Sequence, residues 1–322
     1  MMASPDAGTT PPGMPSGMKL VVQLLGFAVG IVLVAWCVKT ALEGGEEGWR
    51  RVREADPMLL FAMIATSVGS QLANGALFWT TVRPVRKERF WVLQGVNFTS
   101  GLLNYAPVRI GMLSRFVYHM RVDRMKFLFL VGWFAIVSVA MVAVMGAALG
   151  ATLLRPRLDL VWMLAFVAPL AAFVGLAPFF ATLPLVTRFT RGGERMLASR
   201  GWLTAGLALR AIDLAMWTAR IALAAEILGL ELGGGDLLII AVAALVVAMN
   251  PLGRIGFREA AVSILAGYLA TPTDGQSLDA TFSQLAIIES VAEAAAVIPC
   301  GLVAAAWWFR AVRRTPASAE ID

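Results

Sequence analysis

The chain has 322 residues, of which 59% are hydrophobic and only 15% are charged, and its mean hydropathy is +0.75. A soluble domain carries about 25% charged residues, so this composition excludes a single globular core in water and predicts that lipid covers much of the surface. The net charge of +6 does not indicate a nucleic-acid partner. The basic residues form short clusters between apolar runs, where the anionic inner leaflet of a membrane accounts for them.

Apolar runs in chain order predict the membrane segments. Residues 1–18 are rich in Pro, Gly, Ser and Thr and are predicted to form a disordered tail. We expect residues 19–312 to form one transmembrane domain and residues 313–322 a cytoplasmic tail. Runs of about 20 residues are long enough to cross a bilayer. Such runs lie at about 20–42, 58–81, 127–153, 159–186, 203–229 and 281–309.

Two further apolar stretches, about 90–120 and 236–270, are interrupted near the middle by Pro and Gly. The first interruption runs from Asn104 to Gly111, and the second runs from Asn250 to Gly256. Proline removes a helical donor and glycine permits a sharp turn. Each arm of roughly 14 residues covers only about 20 Å of a hydrocarbon core about 30 Å thick. Each stretch is therefore predicted to be a re-entrant helical hairpin, and a continuous kinked helix is the alternative.

The distribution of basic residues predicts the orientation. If the N-terminus is cytoplasmic and both hairpins return to their own side, fifteen Lys and Arg lie in the cytoplasm and six lie outside. This asymmetry follows the positive-inside rule. Both termini are therefore expected in the cytoplasm, and the location is expected to be a bacterial-type cell inner membrane.

The order helix, helix, hairpin, helix occurs twice, over residues 20–153 and 159–309, with opposite orientation in the membrane. Both interruptions contain Asn, Pro and an Arg-Ile-Gly tripeptide. Inverted repeats of this kind are typical of transporters that hold substrate near the membrane midplane. The predicted fold is therefore an all-α integral membrane protein with six spanning helices and two re-entrant helical hairpins in an inverted repeat.

Polar residues within the apolar segments are the candidate substrate-binding residues, because charges in hydrocarbon are costly. Arg109 and Arg254 lie at helix breaks with free backbone N–H groups, which suits phosphate. The alternative is that the charges only pair with one another, Asp213 with Arg210 and the two glutamates of the last helix with Arg258. The full set of candidates is Asn104, Arg109, Arg115, Arg210, Asp213, Asn250, Arg254, Arg258, Glu259, Glu289 and Glu293.

The sequence contains no catalytic, nucleotide-binding or metal-binding motif. The single histidine, His119, lies beside a basic cluster and is expected at the surface, whereas Cys37 and Cys300 are expected to be buried thiols. We therefore expect no enzymatic activity, no cofactor and no metal site.

The two interruptions resemble motifs of the lysylphosphatidylglycerol synthetase transmembrane (flippase-like) family. The segment from Asn104 to Arg115, with Pro-x-Arg-x-Gly, is similar to its first motif, and the segment from Pro251 to Glu259 is similar to its second. The resemblance covers about 20–312. Many members have Glu after the glycine of the first motif, where this chain has Met112, so an acidic role there is not carried over.

This resemblance implies a membrane domain like that of the multiple peptide resistance factor, which moves aminoacylated phospholipid between leaflets. We expect no soluble synthetase domain in these 322 residues. The expected function is transport of an anionic phospholipid or a polyprenyl-phosphate-linked lipid between leaflets. The alternative is an accessory or intramembrane enzyme subunit of a lipid-modifying or glycosyltransferase pathway. Membrane lipids are the expected partners, and the sequence leaves open a lipid-modifying enzyme and a second copy of the chain.

Overall fold

The computed structural model describes residues 16–43, 46–106, 110–190, 193–248, 256–269 and 278–315. Helices are the only regular secondary structure within these ranges. In chain order they are α1 (Ser16–Glu43), α2 (Glu46–Glu54), α3 (Pro57–Val82), α4 (Phe90–Leu103), α5 (Ile110–Arg121), α6 (Phe127–Leu154), α7 (Leu160–Ala181), α8 (Pro184–Thr190), α9 (Glu194–Ala198), α10 (Arg200–Leu228), α11 (Gly234–Ala248), α12 (Phe257–Leu269) and α13 (Leu278–Arg314).

Four of the helices in the described ranges, α3, α6, α7 and α13, are long and apolar enough to cross a membrane. Their outward faces carry large apolar side chains that water would not favour, such as Phe61, Leu164 and Val303. The helices α1 and α10 coincide with the two other predicted spans and contain 28 and 29 residues. The helix α10 carries Arg210, Asp213 and Arg220 in its middle turns and is not among these four. The chain is thus an all-α protein whose apolar helices suit a membrane.

The first interrupted stretch consists of two short helices, α4 and α5, which pack against each other. The Ser100 hydroxyl donates a hydrogen bond to the Gly111 carbonyl at 2.7 Å, and a side chain at Gly111 would collide with Asn104. Val92 in the first turn of α4 and Val122 just after α5 join one apolar cluster. The two helices therefore run antiparallel, with their free ends at the same end of the molecule.

The second interrupted stretch forms α11 and α12, which also pack against each other. Gly256, just before α12, has φ of +85°, and a side chain there would collide with the backbone of Gly30 in α1. Glu259 reaches back to accept a hydrogen bond from the Gly256 N–H at 2.7 Å, as in the reciprocal caps of helix N-termini. The glycine of the Arg-Ile-Gly tripeptide is thus required for conformation and for helix packing.

The helix contacts follow a two-fold pattern. The set α1, α3, α4, α5, α6 corresponds in order to the set α7, α10, α11, α12, α13. The helix α4 packs on α13 as α11 packs on α6, and α1 packs on α13 as α7 packs on α6. The most extensive helix pair, α3 with α10, joins counterparts. A contact pattern of this kind is what two repeats related by a two-fold axis would produce.

The helix ends differ from the predictions in several places. The first helix already begins at Ser16, inside the predicted tail, and the last continues to Arg314. The predicted 159–186 helix ends at Ala181 and is followed by α8, which begins with Pro184; proline suits the first turn of a new helix better than the interior of an old one. The short helix α2 was not predicted, because a segment of nine residues with several charges is typical of a loop between spanning helices.

Candidate functional site

Polar side chains of α3, α10 and α13 converge inside the helix bundle. On α10, Arg210, Asp213, Trp217 and Arg220 recur every three or four residues, so they lie on one helix face, and all four are buried. Because the exteriors of the neighbouring helices are apolar, these groups find polar partners only in the interior. The polar face of α10 thus anchors the site.

The contact between α3 and α10 is polar. The Ser70 hydroxyl donates a hydrogen bond of 2.5 Å to Asp213, and Asp213 also forms a salt bridge with Arg210. One turn earlier on α3, the Ser67 hydroxyl accepts a hydrogen bond of 3.1 Å from Arg220. The two counterpart helices are therefore held together by buried groups whose removal leaves a partner without a hydrogen bond.

A cluster of ionic contacts joins α10, α12 and α13. The Nε of Arg220 donates to Glu289 at 2.6 Å. Arg258 forms salt bridges with Glu293, with Glu289 at 3.4 Å and with Glu259 at 3.0 Å. Each of these side chains is almost entirely buried. Arg258 is therefore neutralised by carboxylates on its own helix and on α13, and the arrangement fixes α12 against α13.

Arg115 on α5 has different surroundings. Its guanidinium is buried, donates to the side-chain oxygen of Asn97, and lies 4.2 Å from the centre of the Phe78 ring. Asn97 in turn donates to the Gln71 carbonyl at 2.7 Å, which ties the pair to α3. Within the part of the chain that the structure describes, no carboxylate forms a salt bridge with Arg115. Arg115 is therefore a buried cation held by neutral groups.

A cavity of about 280 Å³ lies between these helices. Arg115 from α5 and the Arg210–Asp213 pair from α10 both line it. The Nε of Arg210 has no hydrogen-bond partner in the described ranges. The cavity is lined by Ser70, Gln71, Asn74, Phe78, Ser100, Asn104, Ala106, Met112, Arg115, Phe134, Val137, Ser138, Met141, Arg210, Asp213, Trp217, Leu245, Ala248 and Glu293.

The structure brings together eight of the eleven predicted site residues. Five of them line the cavity: Asn104, Arg115, Arg210, Asp213 and Glu293. The others, Arg258, Glu259 and Glu289, lie in the ionic cluster that reaches the cavity through Glu293. For Arg210 and Arg258, the pairing partners are the carboxylates named in the alternative prediction. The remaining three predictions, Arg109, Asn250 and Arg254, lie outside the described residues.

Several residues of the site were not predicted, among them Ser70, Asn97 and Ser290. The Ser290 hydroxyl accepts a hydrogen bond from Arg258 and donates one to Glu259. A signal for one of them was present in the sequence. Gln94, Asn97 and Gly101 of α4 and Asn104 just after it recur at spacings of three and four, which is a face of polar and small residues on an otherwise apolar helix. Such a face predicts inward contacts even where it carries no charge.

The expectation that His119 lies at the surface was wrong. Its side chain is 2% exposed, its Nδ1 lies 2.6 Å from Asp123 Oδ2, and its ring meets the edge of Trp133. The last turn of α5 packs against α6, and the Asp123 carboxylate, four residues after His119, satisfies the buried imidazole.

The loop before α4 contains a second perturbed group. Burial and the nearby Asp123 carboxylate raise the pKa of Glu88, while Arg86 opposes that shift.

Comparisons with protein-family models, curated proteins and solved structures found no match to this chain. The resemblance of the two interruptions to the flippase-like family therefore stays a prediction. Residues 107–109 and 251–255 of the two motifs lie outside the described residues. The function is accordingly inferred from the cavity and the charges around it.

Proposed function

We propose that this chain transports an anionic lipid, a phospholipid or a polyprenyl-phosphate-linked lipid, between the leaflets of a membrane. The observation that carries the proposal is the buried cation Arg115 at an internal cavity, without a carboxylate partner in the described ranges. A buried charge without a counter-ion is costly. The phosphate of a lipid headgroup would supply the missing negative charge while it occupies the cavity.

The comparison with Arg258 supports the choice of Arg115. Arg258 is surrounded by three glutamates, so an additional anion would gain little there. Arg115 presents its guanidinium, whose planar fork suits two phosphate oxygens. Arg210 adds a second donor, although Asp213 balances its charge. The phosphate is therefore proposed to bind on the Arg115 side of the cavity.

The size of the cavity supports a headgroup rather than a whole lipid as its occupant. Pockets for drug-sized ligands measure about 300–1,000 Å³, and this cavity of about 280 Å³ lies at the lower end of that range. In transport, the headgroup would occupy the cavity while the acyl or isoprenoid chains stay in the surrounding hydrocarbon. Neutral side chains such as Asn74 and Ser138 would complete its hydrogen bonds.

In this proposal six helices span the membrane, and α4–α5 and α11–α12 are re-entrant hairpins of an inverted repeat. The lengths of these four helices, between 12 and 15 residues, support it, because about 18–22 Å falls short of a core about 30 Å thick. The matching helix contacts of the two sets of five helices, α4 on α13 with α11 on α6 and α1 on α13 with α7 on α6, also support it. The membrane is proposed to be a cell inner membrane, with both termini in the cytoplasm.

The test is lipid translocation by the purified chain in proteoliposomes that contain a fluorescent phosphatidylglycerol. Arg115→Gln should abolish translocation, and Arg115→Lys should restore only part of it, because an ammonium cannot make the bidentate contact. Arg188→Gln removes an exposed arginine outside the cavity and should leave the rate unchanged. A wild-type rate in Arg115→Gln would refute the proposed role of the cavity.

Two further arms of the same assay address the remaining alternatives. Gln substitution at Arg109 or Arg254 should also abolish translocation if these arginines contribute to phosphate binding. Translocation that appears only after a lipid-modifying enzyme is added would instead favour an accessory subunit of such an enzyme. Translocation by the chain alone supports the transporter.

A further inference from the structure

A second concave surface lies on the outside of the bundle, between α4 and α13. It is a groove of about 570 Å³, separate from the cavity. From α4 it is lined by residues such as Trp91 and Phe98, and from α13 by Cys300, Val303 and Trp307. Trp91 is 75% exposed and Val303 is 76% exposed. The groove therefore offers a continuous apolar surface to whatever surrounds the protein.

The shape of the groove depends on small residues and on a proline. A side chain at Gly95 would meet the Trp307 ring, so glycine allows this ring to lie against the backbone of α4. Pro299 removes one backbone donor from α13 and also lines the groove. The polar residue of the lining, Gln94, directs its amide nitrogen away to the Leu72 carbonyl at 2.8 Å. The groove thus presents apolar groups along about 10 Å of α4.

One end of the groove is strongly basic. The first turn of α4 packs with the last turns of α13, because Val92, Trp308 and Val312 belong to one cluster. Arg310 and Arg314 follow Trp307 by three and seven residues, so they continue the groove face of α13. Both are exposed, and neither forms a salt bridge within the described ranges.

The same end carries the N-terminus of α4. Its N-cap residue, Arg89, forms no side-chain cap, and the Val92 N–H already donates to the Arg89 carbonyl. The N–H groups of Phe90 and Trp91 are therefore the ones that an anion would meet. The positive end of the helix dipole and the exposed Arg89 side chain add to the charge of Arg310 and Arg314. An anion would therefore be attracted to this end, and an apolar chain to the rest of the groove.

We propose that the groove between α4 and α13 binds one anionic phospholipid. Its phosphate lies at the N-terminus of α4, between Arg89 and the arginines of α13, and one acyl chain follows the groove toward Phe98 and Pro299. The site is distinct from the cavity and requires only that the protein lies in a membrane. It would hold a lipid against the hairpin α4–α5 without exposing the headgroup to the cavity.

The test is native mass spectrometry of the purified protein titrated with dioleoyl phosphatidylglycerol, in an Arg115→Gln background so that the cavity does not contribute. Each arginine lost near an anionic group should weaken binding roughly fivefold, and loss of both Arg310 and Arg314 about 25-fold. Arg313→Gln is the matched control, because Arg313 is also exposed but points away from the groove face. Its effect should stay within about twofold.

Two further arms test the acyl chain and the headgroup. Ala304→Trp should fill the groove and abolish tight binding of phosphatidylglycerol. Leu302→Trp, on another face of α13, should retain that binding. Dioleoyl phosphatidylcholine, which has no net charge, should bind at least about tenfold more weakly. Equal binding of the two lipids, or equal affinities of the Arg310/Arg314 double variant and the Arg313 control, would overturn the proposal and leave only unspecific surface lipid.

Discussion

Replacing Arg220 with Met should destabilise the protein severely, because Arg220 holds the ionic cluster between α10 and α13. Its Nε lies 2.6 Å from Glu289 Oε1, and both side chains are 1% exposed. The substitution would leave Glu289 without its nearest cation and Ser67 without its donor. The reciprocal change, Glu289→Met, would leave Arg220 without its nearest carboxylate.

The expected loss of unfolding free energy depends on the burial of Arg220 and Glu289 and on Arg258, the second arginine of the cluster. At an effective dielectric constant near 20, charges about 4 Å apart attract by about 4 kcal/mol, and desolvation offsets part of this attraction. After Arg220→Met, Arg258 still lies 3.4 Å from Glu289. We therefore expect a loss of about 3 kcal/mol, at the low end of the range for breaking a buried ion pair. The double variant with two methionines should cost about 2 kcal/mol less than the sum of the single changes.

The assay is equilibrium unfolding in mixed detergent micelles, applied to the wild type, the two single variants and the double variant. The exposed pair Arg155–Asp159, whose side chains are 46% and 35% exposed, is the matched control and should show little coupling. Additive losses for Arg220 and Glu289 would refute the reasoning, because they would mean that the two charges do not stabilise each other. Unimpaired stability of both single variants would refute it as well.

Further predictions concern a glycine, the topology and one acidic residue. Gly256→Ala should lower the free energy of unfolding by at least about 2 kcal/mol, because it adds strain at positive φ to a collision with α1. Gly146→Ala is the control and should be well tolerated, because Gly146 lies in open space. Equal unfolding midpoints of the two variants would contradict this prediction. In a chain without its two native cysteines, a cysteine at Val85 should be labelled only from the cytoplasm and one at Leu158 only from outside; the opposite labelling would exclude the predicted topology. Since the pKa of Glu88 is raised by burial and a nearby carboxylate, its stabilising contribution is lost as pH rises above the unfolded value of about 4.3. Thermal melts should therefore show a decline as pH rises above about 4.3 that is shallower in Glu88→Gln than in the wild type, and an identical decline would count against this assignment.

The sequence predicted the helices well, because their signals are local. Uninterrupted apolar runs predicted the positions of α1, α3, α6, α10 and α13 to within a few residues at most ends, since a run of apolar residues has few alternatives to a helix in hydrocarbon. The helix α4 ends at Leu103, where the first interruption was predicted, because the Pro and Gly that follow disfavour a continuing helix. Most of the second interruption lies outside the described residues. The length of α7 was overestimated, because composition alone did not reveal where the chain starts a new helix.

The sequence also predicted which polar residues are candidates for the site, because a charge within an apolar run has to find a partner or water. Pairs on one helix, such as Arg210 and Asp213, follow from spacing alone. The segments with Arg109 and Arg254 lie outside the described residues, so the predicted role of these two arginines in phosphate binding stays a prediction.

Only the tertiary structure decided which partners meet across helices. Arg220 and Glu289 are 69 positions apart, and Ser70 and Asp213 are 143 apart, so no local pattern connects them. The burial of His119 and the lack of a carboxylate beside Arg115 in the described ranges were likewise decided by lateral packing. The apolar exterior specifies that a helix is buried in lipid or protein, but the small differences in side-chain shape and hydrogen bonding between neighbouring helices specify which faces touch.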